Sequence, residues 1–223
     1  MMCAVSCQEE DHLLDPKFDT EEYLPDYDVP MEYAASNGKV TRFGDVYYAG
    51  MGNIAVYYDT VSGVTGAVCG KADCTHNSMA CNAFLDLGNI TGLQIYDGKI
   101  YWLQAAGIGR ILYRMDLDGN NREKVQVLDD FSGTAPSIAI HRGYVYTMVM
   151  KSEVRKGQAY STLEIKQYIL GKEEQEPYTI YSKEYTGELL YDCRLRGNHM
   201  YVMVDNDKTL EMKSYDRQFF SYV

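Results

Sequence analysis

A short pattern, Gly-x-x-Tyr, occurs four times along the chain and constrains its fold more than any other feature. It reads GDVY from Gly44, GKIY from Gly98 and GYVY from Gly143, and it returns with one extra residue as GNHMY from Gly197. Each copy begins a candidate strand that has one further strand-like segment before it and two after it. Repetition of this kind indicates one supersecondary unit that stacks against copies of itself.

The segments between the turns alternate apolar and polar residues, as in YVYTMVM from Tyr144 and TLEMKSY from Thr209. A period of two predicts strands that bury one face. Asp97-Gly98 and Asp118-Gly119 predict tight hairpin turns, because these residue types tolerate positive φ. No segment predicts a helix. We therefore predict an all-β chain, a β-propeller of four-stranded blades. The four predicted blades cover about residues 32–70, 90–129, 135–182 and 187–223.

The number of blades leaves two interpretations open. Propellers contain four to eight blades, and most contain more than four. The four blades in this chain either close into a complete ring or form part of a larger propeller. We favour the larger propeller.

One unit carries a family resemblance. Residues 97–125, DGKIYWLQ through LYRMDLDGNNREKV, resemble the YWTD repeat of low-density-lipoprotein-receptor-type β-propellers. Tyr101-Trp102 matches the first half of the tetrad, Leu103-Gln104 replaces its Thr-Asp, and the Arg-x-x-Leu-Asp-Gly run ending at Gly119 matches the following turn. Over residues 32–223 the chain also resembles uncharacterised propeller lipoproteins of Firmicutes-type bacteria, which often carry a Cys/His cluster after the first blade. The resemblance implies the fold rather than a function.

The N-terminal residues suggest a membrane anchor. Residues 1–7, MMCAVSC, are small and apolar, and Ala4-Val5-Ser6-Cys7 resembles a bacterial lipobox, in which the cysteine becomes lipidated. The basic start and longer apolar stretch of a full signal peptide are missing, so we interpret this stretch as a truncated signal peptide; the alternative is an ordinary start with two incidental cysteines. Residues 8–31 are acidic and predict a flexible linker. We expect a bacterial protein, lipid-anchored at Cys7 on the extracellular face of the cell membrane.

Composition limits the partners. The net charge of −11 argues against binding to nucleic acid or to anionic lipid. No apolar run approaches the roughly 18 residues of a spanning helix, so we expect membrane contact only through the lipid anchor. The 21 tyrosines fit a chain that is mostly strand, since tyrosine packs an apolar ring while its hydroxyl reaches water.

Three cysteines and a histidine cluster between the first two predicted blades. They are Cys69, Cys74, His76 and Cys81, with the spacing C-x4-C-x-H-x4-C. Three thiolates and one imidazole are a complete tetrahedral set for structural Zn²⁺. Because an extracellular address favours oxidation, a disulfide within the cluster is the alternative, and free thiols are a third possibility. With either zinc or a disulfide, we expect these residues to staple the connection rather than to catalyse a reaction.

The sequence predicts no catalytic and no cofactor-binding residue. No phosphate-binding loop or nucleophile motif is present, and we interpret His141 and His199 as turn or surface residues. We expect a cell-surface binding module, because propeller loops carry function and tyrosine suits both protein and glycan ligands. The alternatives are a carbohydrate-active enzyme on the same scaffold and a structural module of a larger assembly.

Overall fold

The structure, a computed structural model, describes residues 15–28, 40–85, 93–106, 109–128, 137–206 and 209–216. In these segments the regular structure consists of strands and one short 3-10 turn at Pro16–Phe18, so the prediction of an all-β chain is confirmed. Within the described part of the chain, no helix is long and apolar enough to span a bilayer.

The strands form separate antiparallel sheets, and in each sheet the strands follow one another in chain order. The first sheet contains β1 (Val40–Phe43), β2 (Val46–Met51), β3 (Ile54–Asp59) and β4 (Thr65–Ala67). The second contains β5 (Gln94–Tyr96), β6 (Lys99–Ala106), β7 (Gly109–Asp116) and β8 (Glu123–Leu128). The third contains β9 (Ser137–His141), β10 (Tyr144–Arg155), β11 (Gln158–Ile169) and β12 (Tyr178–Thr186). The fourth contains β13 (Leu190–Arg196), β14 (His199–Asn206) and β15 (Thr209–Asp216) among the described residues.

These sheets correspond to the four sequence units. In each unit the Gly-x-x-Tyr pattern lies at the turn into the second strand, and this turn needs positive φ: Asp97 and Gly98 have φ of 49° and 67°. The same holds for Arg142 and Gly143, at 46° and 85°. The strand predicted at FFSYV, residues 219–223, lies outside the described residues.

The sheets pack face to face in chain order. One cluster of buried side chains joins the first and second sheets around Trp102 and Ile100, a second joins the second and third around Leu112 and Ile140, and a third joins the third and fourth around Tyr146. The first strands of neighbouring sheets also meet, β1 with β5 and β5 with β9. Meandering sheets that pack in series with their first strands adjacent are the arrangement of consecutive β-propeller blades.

The N-terminal segment makes contacts that the sequence did not predict. Residues 15–28, which we predicted to be part of a flexible linker, pack against the turns of the second, third and fourth sheets, with Phe18 and Asp28 buried. The backbone N–H of Asp97 donates to the carbonyl of Asp26 at 2.7 Å. Acidic composition favours flexibility, but Phe18 is buried and Asp28 pairs with a buried arginine, contacts that the composition did not indicate. The remaining linker residues, 8–14 and 29–31, lie outside the described residues.

Candidate metal centre

The loop that carries the Cys/His cluster leaves the first sheet and folds back onto it. Residue Val68 follows β4 and donates its backbone N–H to Ala55 in β3 at 2.9 Å. The loop returns to the same strand: Ala55 donates to the carbonyl of Ala83 at 2.8 Å, and Leu85 donates to Asn53 at 2.9 Å. Because both ends are tied to β3, the residues between them form a compact turn at the edge of the sheet.

Inside the loop, local hydrogen bonds turn the four side chains toward one point. The backbone N–H of Cys74 donates to Lys71, and that of Cys81 donates to Ser78, so each cysteine ends a tight turn. The ammonium of Lys71 donates to the carbonyl of Ala80 at 2.6 Å and closes the loop across its width.

The predicted ligands converge. The Sγ atoms of Cys69, Cys74 and Cys81 and a ring nitrogen of His76 all lie within 4.8 Å of one another. The His76 Nδ1 is 3.2 Å from the Cys81 Sγ. His76 itself has a φ of 56°, a left-handed conformation that a residue other than glycine adopts at a cost of about 1 kcal/mol. The backbone at His76 therefore has an unfavourable conformation at the residue whose imidazole belongs to the cluster.

The pKa values of two thiols in the cluster shift in opposite directions. Burial raises the pKa of Cys81 to about 11, and the neighbouring Cys74 thiol adds to the effect. Burial also opposes ionisation of Cys69, but hydrogen bonds from the backbone N–H groups of Lys71 and Asn82 outweigh it and lower its pKa. Cys69 therefore ionises at a lower pH than Cys81, and a bound metal cation would favour the thiolate form of all three cysteines.

This donor set fits a tetrahedral metal. Zinc–sulfur bonds of about 2.3 Å hold the ligand atoms of such a shell about 3.8 Å apart, a spacing that four atoms within 4.8 Å of one another can meet with small side-chain rotations. The four described cysteines, Cys69, Cys74, Cys81 and Cys193, are free thiols in the structure. A disulfide would use two sulfurs of the cluster and would leave the third thiol and the imidazole of His76 without a role.

The same loop also joins the first sheet to the second. The amide of Asn82 donates to Asn120 Oδ1 at 3.1 Å, and the guanidinium of Arg122 donates to the Phe84 carbonyl at 2.7 Å. Arg122 also covers the Trp102 ring, 5.3 Å from its centroid. The loop around the cluster is therefore an inter-blade staple, which agrees with its predicted position between the first two units.

Gly119 marks the tightest point of this contact. A Cβ at Gly119 would lie 2.1 Å from the Val68 carbonyl oxygen, and its φ is +83°. We expect Gly119→Ala to lower the free energy of unfolding by about 2–4 kcal/mol, because the overlap with backbone adds to the conformational strain. Gly171→Ala is the matched control: its φ is +76°, but nothing lies within 4 Å of the added carbon, so strain alone, about 1 kcal/mol, should remain. Equal losses for the two variants in urea unfolding would contradict the close packing.

The remaining sequence-predicted residues lie elsewhere. Cys7 is outside the described residues. Cys193 lies in β13, in the fourth sheet, and does not join the cluster. His199 is half-buried at a turn, but His141 is wholly buried, and its Nε2 lies 2.8 Å from the Gly197 carbonyl. The interpretation of His141 as a turn or surface residue is therefore wrong, because it ends the inner strand β9 and its ring packs against the fourth sheet.

Arg142 is a candidate functional residue that the sequence interpretation missed. It is fully buried in the turn after β9 and holds Asp28 of the N-terminal segment. The sequence signal was weak: an arginine in place of the usual Asp or Asn before the glycine of a tight turn.

Comparisons with known proteins find similarity to solved structures, one of which is named as a β-propeller domain. No protein-family model matches the chain, and no curated protein sequence matches it. Among solved structures, the chain is similar to the tricorn protease at 12% identity and a TM-score of 0.36, over 80% of this chain but only 21%, about a fifth, of that one. It is also similar to a chain of the nidogen/laminin complex, at 10% identity and a TM-score of 0.35, over 77% of this chain and 76% of the other. The β-propeller domain of the Trilobed protease from Pyrococcus furiosus matches at 9% identity and a TM-score of 0.37, over 80% and 67% of the two chains. At these values the fold assignment rests on the sheets of this chain itself.

Proposed function

We propose that this chain is part of a larger β-propeller that binds a protein or a glycan. The propeller is tethered to the outer face of a bacterial cell membrane through a lipid on Cys7. A structural Zn²⁺ staples its first two blades together. The observation that supports a larger propeller is the outer face of the fourth sheet. On β13 and β14 this face carries Leu190, Tyr201 and Met203, with Leu190 72% and Met203 44% exposed, and each of them pairs across the strands with a charged residue, Asp205, Arg194 and Asp192 respectively. The opposite face of β14 carries Met200, Val202 and Val204, which are buried.

The first sheet has a similar outer face. Tyr47 and Tyr58 stand opposite each other across β2 and β3 and are exposed, and Met51 at the end of β2 is 67% exposed. Arg42 lies over the Tyr47 ring, 5.4 Å from its centroid. The faces between successive sheets are buried, whereas these two outer faces keep apolar side chains in water. Further blades would cover both faces with the same sheet-on-sheet packing that joins the described sheets.

This arrangement predicts self-association of the isolated chain. We expect the 223-residue chain to form dimers or larger species at tens of micromolar in sedimentation velocity, because exposed apolar sheet faces associate. The double variant Leu190→Lys/Met203→Lys should shift the population to monomer. Val154→Lys is the control, since Val154 is equally exposed but lies at the tip of the β10–β11 hairpin. A wild-type chain that is monomeric, with a cooperative melt unchanged in the double variant, would indicate a self-contained ring instead.

The staple proposal rests on the joint position of the four ligand atoms. A disulfide does not require His76, yet the loop holds this imidazole against the thiols in a left-handed backbone conformation. Three thiolates and an imidazole close the coordination shell, so the metal would have no open position for a substrate and would act on stability. Zinc would then hold the end of the first sheet against the β7–β8 turn of the second.

Substitution of Cys7 tests the proposed lipid anchor. We expect Cys7→Ser to move the protein from the membrane fraction to the medium in a Gram-positive host, because the lipid attached to this cysteine is the proposed anchor. The readout is immunoblotting of membrane and culture fractions with and without detergent. Cys3→Ser, which lies outside the lipobox-like stretch, is the matched control. Equal release of wild type and Cys7→Ser would contradict the lipid anchor but would have no bearing on the blade structure.

Ligand class is tested on the soluble Cys7→Ser protein. Cell-wall glycan fragments and purified surface proteins are passed over the immobilised chain, and bound glycans are checked for cleavage. Saturable binding without product formation supports the binding module. Turnover of the glycan would favour the carbohydrate-active enzyme.

A further inference from the structure

The N-terminal strap, defined as residues 15–28, crosses one end of three successive sheets. At the second sheet, the Asp26 carbonyl accepts from the backbone of Asp97. At the third sheet, the Tyr27 carbonyl accepts from the backbone N–H of Arg142 at 2.9 Å. At the fourth sheet, the carboxylate of Glu21 lies 3.5 Å from His199 Nε2. The strap thus contacts the turn between the first and second strands in each of these sheets.

Arg142 holds the strap at its centre. Its guanidinium donates two hydrogen bonds to the Asp28 carboxylate, from Nε at 2.6 Å and from Nη2 at 3.0 Å, in the bidentate geometry that makes such pairs strong. It also donates to the backbone carbonyls of Phe18, Thr20 and Glu22. The domain side supplies the Asn198 amide oxygen at 3.0 Å. The Arg142 guanidinium is wholly buried, and atoms of the strap accept most of these hydrogen bonds.

An aromatic contact fixes the other side of the strap. Phe18 is buried and meets the edge of Tyr27, with ring centroids 5.3 Å apart, and Tyr27 meets Tyr96 of β5 at 5.6 Å. Lys17 lies over both the Phe18 and the Tyr27 rings at 4.7 Å. Tyr96 also accepts a hydrogen bond from the backbone N–H of Gly143 at 2.7 Å, which orients its ring beneath the strap.

Most of the titratable groups that face the strap are basic, and the exception is the Asp97 carboxylate, which forms a hydrogen bond with the Tyr27 side chain. The strap contains six acidic residues and one lysine. Facing it are Arg142, the buried His141, whose Nδ1 is 3.6 Å from Asp28 Oδ1, and His199. In a chain with a net charge of −11, this end of the sheets presents cationic and hydrogen-bond-donating groups. Removing the strap would take away the Asp28 carboxylate and the backbone carbonyls that accept hydrogen bonds from Arg142.

We propose that this end of the second, third and fourth sheets is a binding site for an extended acidic peptide, and that the chain's own strap occupies it in this structure. The site recognises backbone carbonyls, an aromatic side chain beside Tyr96, and one carboxylate placed on Arg142. A partner segment with these features competes with the strap for the same contacts. This inference is independent of the anchor at Cys7 and of the zinc staple.

The test lets the protein fold with its strap in place and then allows the strap to exchange with a free peptide. A protease recognition sequence is inserted between residues 29 and 39, the full chain is purified, and the insertion is cut. A fluorescein-labelled peptide of residues 15–28 is then titrated and followed by fluorescence anisotropy. We expect saturable binding by the cut protein and none by the uncut protein. The Asp28→Asn peptide should bind at least tenfold more weakly, whereas the Asp26→Asn peptide, with the same loss of charge but a side chain that does not touch Arg142, should bind like the parent.

Three results would overturn the proposal. Loss of the β-sheet circular dichroism signal on cutting would make the strap an integral part of the fold. A cut protein that stays folded but never exchanges its strap would exclude a reversible peptide site. Equal binding of the Asp28→Asn and Asp26→Asn peptides would exclude recognition of the carboxylate by Arg142.

Discussion

Replacing Arg142 with methionine is expected to lower the free energy of unfolding by about 3–5 kcal/mol, because the change leaves the buried Asp28 carboxylate without its cation. The guanidinium also satisfies carbonyls of the strap, and these would lose their donors inside the protein. Urea unfolding followed by circular dichroism measures the loss. Limited proteolysis should in addition cut the strap first, since Arg142 is its central contact.

The control is the same substitution at a surface arginine. Arg155 lies near the tip of the β10–β11 hairpin, about half exposed, and pairs with Glu184 at 2.7 Å. Solvent screens such a pair, so Arg155→Met should cost less than about 1 kcal/mol. Similar losses for Arg142→Met and Arg155→Met, with the strap equally resistant to protease in both, would contradict the role of Arg142.

Replacing His76 with asparagine is expected to abolish stable zinc binding while leaving the backbone of the loop intact. Asparagine tolerates the left-handed conformation that His76 adopts at φ 56°, so the variant removes the imidazole without adding strain. Losing one of four ligands should weaken zinc by more than the roughly 10- to 100-fold that outer-shell changes cost. The melting temperature of the variant should become insensitive to a chelator, whereas that of the wild type should fall when zinc is removed.

His199→Asn is the matched control for this experiment. His199 is a half-buried histidine at a turn of the fourth sheet, far from the cluster in the chain. Its replacement should leave the zinc affinity and the chelator response unchanged. A His76→Asn protein with wild-type stability and an unchanged thiol count would favour a disulfide over the metal.

The strands and their grouping could be predicted from the sequence because the signals are local. Alternation with period two identifies the strands, and the Asp97-Gly98 pair identifies a turn without knowledge of any distant residue. The convergence of Cys69, Cys74, His76 and Cys81 is also local, since all four lie within 13 positions of one another. The sequence could not indicate that Gly119, in another sheet, packs against Val68, because that contact depends on how two sheets meet.

The strap could not be predicted for a related reason. Its acidic composition is the ordinary signature of a flexible segment, and its main partner, Arg142, lies 114 positions away from Asp28. Only the assembled sheets bring the turn of β9 and β10 beneath it. The aromatic residues Phe18 and Tyr27 were the available clue, since a fully solvated linker has no apolar surface against which to pack them.

Native mass spectrometry of the wild-type protein, purified under reducing conditions, tests the staple most directly. We expect one equivalent of zinc per chain, retained in His199→Asn and absent from His76→Asn. A folded protein without metal would argue against zinc. A disulfide would be indicated if, in protein purified without reductant, two cysteine thiols of the cluster react with a thiol reagent only after reductant is added.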